Sequence, residues 1–174
     1  MNRPTPLVRL ALATALALGA PGLLLANGTT RVSVTYDHPE NFTETKEVKA
    51  FAPARAGNDY LEELKRYLVD RADKMLPPGE QLQVVITDVD RAGSFEPWRG
   101  PRLNDVRIIK DIYPPRINLH FRLLDASGKV IREGDRTLRD PGFMSGVGTH
   151  TSTDGLRYEK NLIDRWLWQG PDKL

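Results

Sequence analysis

Three stretches of this chain alternate apolar and polar side chains, and that period of two restricts the fold to a sheet with one buried and one wetted face. Residues 31–36 (RVSVTY) form the first. Gln81–Asp90 places Leu82, Val84 and Ile86 on one side, and Ile117, Leu119, Phe121 and Leu123 mark the third. Asp125, Ala126, Ser127 and Gly128 make a turn, so residues 129–138 return as a hairpin partner. Residues 106–110 add a short strand. Residues 91–103 read as a loop, and residues 37–57 as irregular chain in which 48–51 can add another short strand.

Two segments change period. Leu61, Leu64, Leu68, Ala72 and Met75 fall on one helical stripe, with Asp59 and Glu62 at capping-box spacing before it and Pro77, Pro78 and Gly79 after it. Leu156, Leu162, Ile163, Trp166 and Leu167 supply a second stripe, which Asp154 can cap and Gly170-Pro171 stops. Strand, helix, several strands, helix is the order of an α+β domain. A small, mostly antiparallel sheet of four to five strands with both helices packed on one face buries every apolar stripe. Residues 27–174 form that single domain.

The first 26 residues follow another logic. Arg3 and Arg9 precede an apolar run from Leu10 to Ala26 that contains Pro21 and Gly22, the order of a cleavable secretory signal. Cleavage is expected after Ala26, with Ala20 as the second choice. The run is shorter than the roughly 20 residues that span a bilayer, so no transmembrane segment is expected after signal removal. Losing Arg3 and Arg9 brings the 25 basic side chains level with the 23 acidic ones. A neutral exported domain lacks the global basic field that nucleic acid requires. The chain contains no cysteine, which removes disulfides, thiol catalysis and cysteine metal sites and favours a bacterial periplasm.

Longer strings carry a resemblance. Residues 95–101 (FEPWRGP), 105–117 (DVRIIKDIYPPRI), 138–140 (LRD) and 156–160 (LRYEK), with the opening VSVTYDHPENFT and the strand ITDVDRAG, resemble the domain of unknown function 3016 family of exported bacterial proteins. The resemblance implies no activity, cofactor or catalytic residue.

Read by chemistry, the most conspicuous surface is the segment 95–116. Trp98, Arg99, Arg102, Arg107, Tyr113 and Arg116 sit among prolines 97, 101, 114 and 115, and tryptophan and arginine dominate binding hot spots. The planar guanidinium grips carboxylate or phosphate with two parallel hydrogen bonds. An acidic envelope protein, a glycan or an anionic headgroup would suit it. The opposing expectation is that Trp98 plugs the core and the arginines pair with Glu96, Asp105, Asp111, Asp88 and Asp90. Those last two, one residue apart on a strand, project from one face and offer an alternative: an acid/base or metal-assisted hydrolase. His38, His120 and His150 lack metal-ligand spacing, and no cofactor or metal is expected. Ser145 or Ser152 with His150 and Asp154 crowd one loop, whereas a triad needs rigid placement by separate elements. Gly146-Val-Gly148 lacks the lysine of a phosphate loop and reads as a hinge. The leading expectation is a non-enzymatic periplasmic binding or accessory module; a purely structural envelope component is the third class.

Overall fold

The computed structural model describes residues 30–55, 57, 59–145, 150 and 153–170. The N-terminal segment expected to act as a signal and Gly146-Val-Gly148 lie outside the described residues. A four-stranded sheet forms the body, built from β1 (Val32–Tyr36), β2 (Gln81–Asp90), β5 (Arg116–Leu124) and β6 (Val130–Arg139), in spatial order β1-β2-β5-β6. β1 runs parallel to β2; the other two pairs are antiparallel. The parallel pair follows from the long connection between those strands, which carries α1 (Thr43–Phe51) and α2 (Asp59–Met75). α3 (Arg157–Leu167) closes the chain beside α2. The architecture is α+β, with α2 and α3 packed on one face.

That face is the core. Leu61, Leu64, Leu68 and Ala72 of α2 and Leu162, Ile163, Trp166 and Leu167 of α3 meet Leu82, Val84, Ile86, Ile117, Leu119, Phe121 and Leu123 from the sheet. Each large apolar side chain buried this way contributes about 1.5–3 kcal/mol. Phe121 and Trp166 meet edge to face, with centroids 5.9 Å apart and planes at 67°. The opposite face carries Ser33, Thr35, Arg122, Glu133 and Asp135 into solvent, and His120 lies there too, bonded to Asp135 at 2.9 Å.

Three local expectations need correction. Residues 43–51 form a helix rather than irregular chain or a short strand, because α1 buries Glu44 and Thr45 instead of an apolar stripe. The loop 91–103 contains β3 (Ser94–Phe95) and two 3₁₀ turns, Pro97–Arg99 and Pro101–Leu103. The strand expected over 106–110 shortens to β4 (Arg107–Ile108), which pairs with β3 in a two-stranded clip.

A bulge in β2 decides the fate of its acidic end. Register with β5 shifts between Ile86 and Asp88, so Thr87 is the extra residue. Unbroken alternation from Leu82, Val84 and Ile86 would turn Asp88 and Asp90 toward the core. The bulge turns Val89 inward instead, fully buried, and sends both aspartates to the open face.

Candidate functional site

The clip and its turns build a platform. Glu96, 1% exposed, lies beneath it and accepts hydrogen bonds from Arg99 Nε, Lys110 Nζ and Tyr113 Oη. The Lys110 bond, aided by those from Tyr113 and Arg99, holds the Glu96 carboxyl below the usual range against the opposing effect of burial. Pro97 and Pro101 open the two turns and Gly100 joins them at φ +115°. Trp98 therefore points outward: it is 73% exposed. Arg102 and Leu103 beside it are also exposed, and Arg102 has no carboxylate partner among the described residues.

Gly93 anchors the clip to the end of β2. At φ +83° it adopts a backbone conformation that suits glycine, and a Cβ there would lie 2.7 Å from the Ile108 carbonyl oxygen. Its amide donates to Tyr113 O at 3.0 Å, and its carbonyl accepts from Arg107 Nη1 at 2.9 Å.

Beside the platform lies a cleft of about 370 Å³ whose lining includes Thr43, Asp90, Ser94, Tyr113, Arg116 and Arg139. The strands deliver three of these in one row: Asp90 pairs across β2 and β5 with Arg116, which pairs across β5 and β6 with Arg139. Arg116 Nη2 reaches Asp88 at 3.1 Å and Asp90 at 3.5 Å. Asp88 also accepts from Thr43 N at 2.7 Å and Thr43 Oγ1 at 2.9 Å, so it caps the first turn of α1. Burial raises the Asp90 carboxyl above its ordinary range, although Arg116 opposes the shift. A guanidinium bridges the pair of aspartates, and one of them holds a helix end; neither is a free acid or base.

Behind the cleft runs a buried ionic layer. Arg107 Nη2 donates to Glu44 at 2.6 Å and Glu47 at 3.5 Å, and its guanidinium lies 4.8 Å from the Phe95 ring centroid. Arg91 approaches Glu44 at 3.7 Å and donates to Gly155 O at 2.8 Å. Ser94 Oγ donates to Glu47. Glu159, also 1% exposed, accepts from Ala92 N at 2.8 Å. Burial raises the Glu44 carboxyl, and Arg107 and Arg91 pull it back. Removing one partner of such a buried pair costs about 3–5 kcal/mol.

The six residues of the expected surface therefore separate. Trp98, Arg99 and Arg102 occupy the platform; Tyr113 and Arg116 line the cleft; Arg107 turns inward to Glu44 and Glu47. Trp98 is no core plug, yet the expected pairing with Glu96, Asp88 and Asp90 holds for Arg99 and Arg116. Glu96, the acid that organises the platform, sits between Phe95 and Pro97, and its isolation in an apolar string was the available signal. Arg139 ends an unremarkable hairpin strand and gave none.

The histidines scatter. His38 is exposed at φ 51° beside Asp37 and Glu40. His150 Nε2 sits 3.1 Å from Tyr67 Oη and 3.4 Å from Asp164, whereas Asp154 accepts from Leu156 N and Lys160 Nζ. Asp154 thus bonds to Leu156 and Lys160 while His150 bonds to Tyr67, Ser145 is exposed in a turn, and Ser152 lies outside the described residues. Among the described residues no three His, Asp or Glu side chains gather as a metal site.

An α+β module bearing an aromatic platform and an ion-lined cleft is the class these features define. Residues 30–169 match the family described as protein of unknown function (DUF3016), and the chain belongs to that family. No curated protein and no solved structure matches it.

Proposed function

We propose that this chain is a non-enzymatic binding module of the bacterial cell envelope, exported by its apolar N-terminal segment, that inserts Trp98 into an acidic-rimmed pocket of a partner protein. The observation that carries this reading is the exposed indole on a proline-stiffened turn, braced from below by buried Glu96. A large ring carried into water on a stiffened backbone adds nothing to the core. The Trp98 backbone is already fixed by the flanking prolines, which limits the ordering cost on association. The ring does not line the cleft, where a small ligand would be enclosed, whereas a protein partner can supply a concavity for it. Arg102, without a partner among the described residues, favours an acidic rim.

The test compares wild type with Trp98→Ala/Arg102→Ala after cross-linking in envelope extract, followed by titration of the purified partner. The double variant is expected to melt within about 2 °C of wild type, since exposed substitutions alter stability by roughly 0.5 kcal/mol or less. Its affinity should fall at least about 30-fold, the loss of one hot spot, and polyglutamate should compete with the wild type. Equal capture by both proteins, or binding only to anionic vesicles or glycans, refutes the assignment. N-terminal sequencing of the exported protein should begin at Asn27; an intact N-terminus in the envelope would refute cleavage.

A further inference from the structure

Arg116 and Arg139 stand directly opposite each other on neighbouring strands and on the same sheet face. Like charges in that position repel, and the protein relieves only one of them. Arg116 has Asp88 and Asp90 on its β2 side, and both contacts use Nη2 alone. Its Nε and Nη1 donate to none of the described residues, and Arg139 has no hydrogen-bond or ion-pair partner among them. Of the acids around the cleft, Glu47 is engaged by Ser94 and Arg107, while Asp88, which also caps Thr43, and Asp90 both fall to Nη2 of Arg116. Two forks of N–H donors therefore share one side of a cavity large enough for a small organic molecule. Tyr113 and Pro114 also line it.

We infer that this cleft is a binding site for a small molecule carrying an anionic oxygen group, a carboxylate or a phosphate, clamped between Arg116 and Arg139. The planar guanidinium suits either group, because each presents paired oxygens to the fork. Asp90, at the end of the same row, keeps a weakly engaged acceptor beside the anion. A hydroxyl or ammonium on the ligand next to its acid group would donate there. This site does not depend on the Trp98 platform.

The test follows the arginine Nε–H resonances of the folded protein during titration with inorganic phosphate and, separately, acetate, against sodium chloride of matched ionic strength. Saturable shifts at Arg116 and Arg139 are expected, and the order of affinity identifies the preferred group. Arg139→Gln, at the exposed end of an edge strand, should weaken binding at least tenfold. Arg139→Lys, which keeps the charge without the fork, should fall between. Trp98→Ala/Arg102→Ala should bind the anion as wild type does. Shifts that the chloride control reproduces, or an unchanged constant in Arg139→Gln, overturn the inference and leave the Trp98 reading untouched.

Discussion

Replacing Gly93 by alanine isolates the contact that fastens the platform to the sheet. Two costs add. At φ +83° an L side chain is strained by about 1 kcal/mol. The new Cβ also lies 2.6 Å from Ile109 Cδ1 and 2.7 Å from Ile108 O. The isoleucine tip can rotate away, but the carbonyl belongs to β4, paired with Ser94, and relief requires the clip to part. Overpacking of that kind costs about 1–3 kcal/mol, so Gly93→Ala should lose about 3 kcal/mol in all. Gly128→Ala supplies the control: φ is +82° in the hairpin turn, but nothing lies within 4 Å, and only the backbone cost of about 1 kcal/mol applies. With a urea dependence of about 2 kcal/mol per molar, the two unfolding midpoints should differ by about 1 M. Coincident midpoints would refute the claim that Gly93 is fixed by its neighbour rather than by its dihedral angle.

Three further outcomes follow from the same geometry. Asp88→Ala removes the cap of α1 and should cost about 1–3 kcal/mol, with faster amide exchange at Thr43; an unaltered exchange rate would contradict the capping role. Glu44 has a folded-state affinity for protons above that of the unfolded chain, because burial dominates. Its stabilising contribution is thus fully present below about pH 4.5 and is lost as pH rises through the folded value. Wild type should accordingly lose stability relative to Glu44→Gln as pH rises from 4 to 7, and a relative gain in urea melts would show that Arg107 and Arg91 outweigh burial. Trp98 and Trp168 are exposed, Trp166 is buried; Trp98→Phe should remove a red-shifted, acrylamide-accessible share of the fluorescence, and unchanged quenching would place the ring inside.

What the sequence displayed of the fold was its apolar periodicity. Leu61 to Met75 and Leu162 to Leu167 announced α2 and α3, and Leu82 to Ile86 announced the inner face of β2. α1 stayed hidden because its inner face is Glu44 and Thr45, and no apolar count detects a helix that packs by charge. For the site, residue type indicated Trp98 and the arginines, while position within the fold decided their use. Arg107 and Arg102 look alike on paper; one crosses to Glu44 and the other faces water. Arg139 joins the cleft only through its register with Arg116, a relation between strands that no local string contains.

Thr87 has a consequence for how this chain can change. Because it is a surplus residue, the facing of side chains along β2 depends on a count. Deleting Thr87 sets Asp88 directly after Ile86, so plain alternation still turns Val89 inward and both aspartates outward. One further inserted residue without a second bulge would instead drive the two carboxylates among Leu119, Ile117 and their neighbours. Point substitutions at Thr87 should be tolerated, since its side chain is exposed. A chain lacking Thr87 should still fold, with β2 straightened, whereas an added residue at this point should be strongly destabilising. Homologous chains that retain the aspartates and Val89 should therefore vary in composition at this position, or lack it and carry a plain strand, but not gain a residue there.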